Sequence, residues 1–158
     1  MDRSMSLFQE LLARPPTLST PSKYTAANGL IYLAAGTLLI AWPGATQTLF
    51  GDRAFVGDEQ GLVRVIGVAV AVIGWLYLFG GRSGARQMVA ATVVNRLTFV
   101  PAVLLPLAAS EVFPHLLVTF GILDPALAVG TWFLFGRDDA KAIGAETKAP
   151  ESLPQPLP

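Results

Sequence analysis

The chain has 158 residues, 53% of them hydrophobic and 14% charged, with a net charge of zero and a mean hydropathy of +0.54. Soluble domains carry about 25% charged residues, so a chain this poor in charge needs lipid to cover most of its surface. Balanced charge gives no basic patch for nucleic acid. The absence of cysteine excludes disulfides, thiolate nucleophiles and Cys-ligated metals, and the single His115 argues against a bis-His haem or a His-cluster metal site.

Residues 1–23 form a mixed leader, with Pro15 and Pro16 followed by a Ser/Thr/Pro stretch. Within it, Leu7, Phe8, Leu11 and Leu12 share one side of a short amphipathic turn, readable as a frayed end or an interfacial anchor. Four apolar runs follow, at about 25–42, 61–78, 88–109 and 115–135. A hydrocarbon core of about 30 Å takes about 20 helical residues, and each run approaches or exceeds that length. The runs are continuous rather than alternating, which selects helices over a barrel. Pro43-Gly44, Gly80-Gly81, Pro114 and Gly136 punctuate them, and Tyr24, Trp42 and Trp132 sit near their ends as interfacial aromatics do. No small-x-small site with good context follows Trp42, so the first run is read as a retained helix and not a cleaved signal.

Orientation follows from Lys and Arg. Arg3, Arg14, Lys23, Arg82, Arg86, Arg137, Lys141 and Lys148 fall on one side, and only Arg53 on the other. Positive loops stay inside, so both termini are expected in the cytoplasm. The expected fold is all-α: a four-helix transmembrane domain over 24–136 in the cytoplasmic membrane, then a disordered Pro-rich cytoplasmic tail over 137–158.

Polar residues inside the runs carry the functional reading. A charge at mid-membrane costs at least about 2.5–3.5 kcal/mol, so it is normally paired or lines a polar cavity. Asp124 lies roughly 13 Å into the fourth run, and Arg96 roughly 12 Å into the third from the opposite face. The two therefore share a level and are expected to form an ion pair. Arg96 could alternatively extend its long side chain to the cytoplasmic surface. Asn95 points about 100° away from Arg96, toward another helix, and Asn28 is placed for an interhelical hydrogen bond. Pro125 withdraws the donor from the Gly121 carbonyl, so a kink beside Asp124, with Ala128 and Thr131 below, can shape a small polar pocket. Pro101 and Pro106 should bend the outer half of the third helix. Arg64 heads a stripe of Gly67 or Val68, Ala71, Gly74 and Trp75 and is expected to face the bundle at its outer mouth, or else to anchor on lipid phosphate.

No spacing of a known catalytic kit occurs, so no catalytic residue, metal or cofactor is assigned, and an enzyme is the least favoured reading. The segments GLVRVIG (61–67), GWLY (74–77), ATVVNRLTFVP (91–101), LD (123–124) and GT (130–131) resemble small bacterial four-helix membrane proteins, broadly DoxX-like. The resemblance spans residues 26–136 and implies a compact bundle with cytoplasmic termini and an accessory or oxidoreductase-associated role. The leading expectation is a non-enzymatic accessory or scaffold protein of a bacterial cytoplasmic membrane. Its partners would be lipids, and further copies or a larger membrane complex. The alternative is a small carrier or binder of a lipid or hydrophobic ligand around Arg96 and Asp124.

Overall fold

A computed structural model describes residues 7–13 and 15–148. Seven helices occur in order: α1 (Leu7–Leu12), α2 (Thr20–Ala41), α3 (Ala45–Phe50), α4 (Glu59–Arg82), α5 (Arg86–Leu97), α6 (Phe99–Ala109) and α7 (Pro114–Lys148). The described residues include no strand. Four spans are long and apolar enough to cross a membrane, namely α2, α4, α5 with α6, and α7 to Gly144. They run up and down around a ring in which α2 packs on α4 and α7, and α5 packs on the same two helices.

The seam between α2 and α4 is set by glycine. Gly29 and Gly36 on α2 and Gly67, Gly74 and Gly81 on α4 recur every seven residues and are buried. A Cβ on Gly29 would stand 2.3 Å from the Leu78 nitrogen, and one on Gly36 would stand 2.4 Å from the Ala71 nitrogen. A Cβ on Gly74 would meet the Leu33 nitrogen at 2.5 Å. The two backbones are in direct contact, which dispersion rewards in lipid, where burial alone drives no association. The seven-residue period keeps the contact on one face as the helices cross.

The third span is broken at Thr98, which has φ −113° and ψ −69°. Pro101 has no N–H for the Leu97 carbonyl, so the ladder fails four residues before the proline. The Thr98 hydroxyl donates to the Val94 carbonyl at 2.8 Å and reinforces the last turn of α5. Beyond it, α6 packs against α7, and a cleft remains between α6 and α4.

Several boundaries differ from expectation. The first span begins at Thr20, because Ser19 accepts from the Ser22 N–H and Pro21 fits the first turn. The helix of the fourth span, α7, does not stop at Gly136 but continues to Lys148, so residues 137–148 are helical and not a disordered tail. Asp138 accepts from the Thr20 N–H at 3.3 Å and Asp139 pairs with Arg86 at 2.7 Å, and both contacts fasten this extension to the bundle. The expected Pro-rich tail over 149–158, together with Arg3 and Arg14, lies outside the described residues.

Candidate functional site: a buried arginine beside an apolar cleft

Helix α5 turns Val89, Thr92, Val93 and Arg96 inward, at spacings of three and four that define one face. Arg96 is 0% exposed, and its Nε lies 3.6 Å from Oδ1 of Asp124, whose side chain is 8% exposed. Its guanidinium carbon stands 4.0 Å over the Tyr77 ring and 5.4 Å from the Tyr32 ring centroid. Those two rings meet edge to face at 5.6 Å. The cation is thus held by a carboxylate on α7 and by aromatic faces on α2 and α4, the partners a buried guanidinium can use without water.

The hydrogen bonding of this cluster is incomplete. At 3.6 Å the charges attract but form no hydrogen bond. All three guanidinium nitrogens and Oδ1 of Asp124 lack a hydrogen-bond partner among the described residues, as do the Tyr32 hydroxyl, the Asn28 amide nitrogen and the Thr25 hydroxyl. Thr25, Asn28 and Tyr32 line one buried face of α2. Orphaned polar atoms are rare in protein interiors, and a run of them marks a place where something polar belongs.

The cleft between α4 and α6 reaches this cluster from the side. It holds about 370 Å³ and is walled by Ile66, Ala69, Val70, Ile73 and residues of α6 and α7. Tyr32, Asn95 and Asp124 are the polar side chains on its wall. Phe99 and Val103 at its rim are 66% and 54% exposed, so its mouth opens on the apolar perimeter rather than at either end of the bundle.

The sequence-derived residues fall into two groups. Arg96, Asp124 and Asn95 gather at the cleft or directly behind it, and Ala128 and Thr131 are buried on the same side of α7 as Asp124. Asn28 is buried on α2, but its amide nitrogen makes no interhelical hydrogen bond among the described residues. Arg64 does not face the bundle. The buried stripe of α4 is Val63, Gly67, Val70, Gly74, Tyr77 and Gly81, which leaves Arg64 one residue off it and exposed, with Val68 and Trp75.

Two features escaped the sequence reading. Tyr32 and Tyr77 form the aromatic seat of Arg96; the signal for Tyr32 was a phenol in mid-span, where its hydroxyl needs a reason, whereas Tyr77, near the end of its run, read as an interfacial aromatic. Asp52 is buried and accepts the His115 N–H at 3.0 Å and the Leu116 N–H at 3.2 Å, capping α7 from a distant loop. His115 Nδ1 also lies 3.2 Å from Oδ1 of Asp52. The signal was indirect: no Ser, Thr, Asp or Asn immediately precedes Pro114, so the cap has to come from elsewhere.

Compared with protein families, with curated proteins and with solved structures, the chain matches none.

Proposed function

We propose that the chain is a multi-pass protein of a bacterial cytoplasmic membrane, with both termini in the cytoplasm, that binds a hydrophobic small molecule in the cleft between α4 and α6. The observation that carries this reading is the buried, hydrogen-bond-deficient pair of Arg96 and Asp124 at the side of an apolar cleft open to lipid. Ligand sites are mostly apolar with a few convergent polar groups, and intramembrane charges mark functional positions. Arg96 holds the carboxylate in place from behind. Asp124 and Asn95 then orient the polar end of whatever enters, and the wall from Ile66 to Ile73 takes up its hydrocarbon.

The test is a blocking substitution. Ala69→Trp would fill the cleft from its α4 wall without touching the pair. The protein, extracted in mild detergent, should carry a small molecule at about equal stoichiometry by native mass spectrometry, and the Ala69→Trp variant should not. The same molecule on both, or none on either, would defeat the binder. The accessory or scaffold reading draws on a different observation, the complete enclosure of Arg96 between Tyr77 and Asp124. A stoichiometric protein partner, with no small molecule, would favour it.

Orientation has its own measurement. The chain has no cysteine, so single replacements Asp58→Cys and Gly144→Cys report side directly. In intact cells a membrane-impermeant thiol reagent should label the first and spare the second.

A further inference from the structure

The polar side chains that meet the cleft are not those that dominate the buried cluster. Arg96 has the most donors, yet it is absent from the cleft wall and wholly enclosed. Asp124 is on the wall, and what a molecule in the cleft encounters is therefore a carboxylate with a guanidinium behind it. No donor among the described residues hydrogen-bonds to that carboxylate, because the one cation near it stands at 3.6 Å. Tyr32 and Asn95 on the same wall carry donors, but neither bonds to the carboxylate, which is left as an acceptor without a donor.

Charge narrows the class. Arg96 and Asp124 sum to zero, so an ammonium head would leave one uncompensated positive charge in hydrocarbon and a carboxylate head one negative charge. Either costs several kcal/mol in a low-dielectric site. A hydroxyl donates to the carboxylate and brings no charge. It also accepts, which suits the Asn95 amide on the same wall. A lateral mouth rimmed by Phe99 and Val103 admits molecules already dissolved in the bilayer.

We infer that the cleft binds an uncharged apolar alcohol drawn from the membrane, its hydroxyl donating to Asp124 and accepting from Asn95, its hydrocarbon lying against Ile66, Val70, Val103 and Phe120. This rests on the reading above that the cleft is a ligand site.

Chain-matched probes separate the two claims. The full protein in nanodiscs is titrated with 1-dodecanol, its methyl ether, dodecane, dodecylamine and dodecanoate, and occupancy is read by native mass spectrometry. The Ala69→Trp variant identifies binding in the cleft. Dodecanol should bind about tenfold more tightly than the ether, which keeps the oxygen but cannot donate, and than dodecane. Asn95→Leu should narrow the ratio of alcohol to dodecane and, because the ether oxygen also accepts from Asn95, leave the alcohol-to-ether ratio unchanged. The double variant Arg96→Met with Asp124→Leu, which removes both charges together and leaves none unpaired, should bring the alcohol-to-ether ratio near one while dodecane binding persists. Equal binding of ether and alcohol, or tighter binding of the amine or the carboxylate, overturns the alcohol and leaves the ligand site standing. If no probe shows binding that Ala69→Trp removes, the ligand site falls and the alcohol with it.

Discussion

The two halves of the bundle are joined by opposite means. Between α2 and α4 the side chains have been removed, and backbone lies on backbone at the buried glycines. Between α5–α6 and α7 the side chains remain large, the third span is interrupted at Thr98, and an arginine and an aspartate stand where neither is welcome. The first half has nothing to rearrange. The second has broken ladders, a buried ion pair held at 3.6 Å and a cleft at its edge. A membrane bundle can carry an awkward polar site when a neighbouring pair of helices is packed too closely to yield.

The largest effect should come from dividing the pair. Arg96→Ala or Asp124→Ala leaves an uncompensated buried charge and should cost about 3–5 kcal/mol. Thermal unfolding in detergent reads this, and Asp124→Arg combined with Arg96→Asp should recover part of it. A swap no better than the single changes would mean that the two charges do not stabilise one another.

A glycine scan sharpens the contrast between the halves. Gly29→Ala and Gly36→Ala force backbone from backbone and should each cost about 1–3 kcal/mol. Gly121→Ala meets Leu105 Cδ2 at 3.0 Å. That is the end of a side chain that can turn aside, and alanine also gains up to about 1 kcal/mol in helix propensity, so the change should be close to neutral. Equal losses at all three positions would erase the distinction between a rigid seam and a yielding half.

Smaller effects lie at the two ends. Asp52→Ala should cost about 1–2 kcal/mol as the α7 cap is lost. Hydrogen exchange at the His115 and Leu116 amides should quicken first. Arg86→Ala removes an exposed bridge to Asp139 and should cost no more than about 1 kcal/mol, fading with added salt.

The four spans were legible because hydrocarbon tolerates few alternatives, and the heights of Arg96 and Asp124 could be counted at 1.5 Å per residue. Arg64 was not legible for a related reason. Val63 and Arg64 both stand at helical spacing from Gly67, and so near a helix end neither water nor lipid head groups forbid the arginine from turning outward. The glycine seam was half visible, since Gly67 and Gly74 stood out on one helix while their counterparts Gly29 and Gly36 on the other did not. The extension of α7 beyond Gly136 was hidden because polar residues read as a tail. Asp138 and Asp139 make it structural only by meeting Thr20 and Arg86 from far away in the chain. The cleft was only partly visible: a pocket beside Asp124 was expected, but its apolar wall on α4 and α6 depends on the spacing of those helices, which composition does not encode.

The Asp52 cap also bears on how the protein is made. Its carboxylate precedes the His115 amide it caps by 63 positions, so the ribosome delivers the acceptor well before the donors. The fourth span therefore cannot finish its own first turn locally. That turn is completed by a carboxylate from the loop between the first two spans, so the cap forms only once the fourth span packs beside that loop.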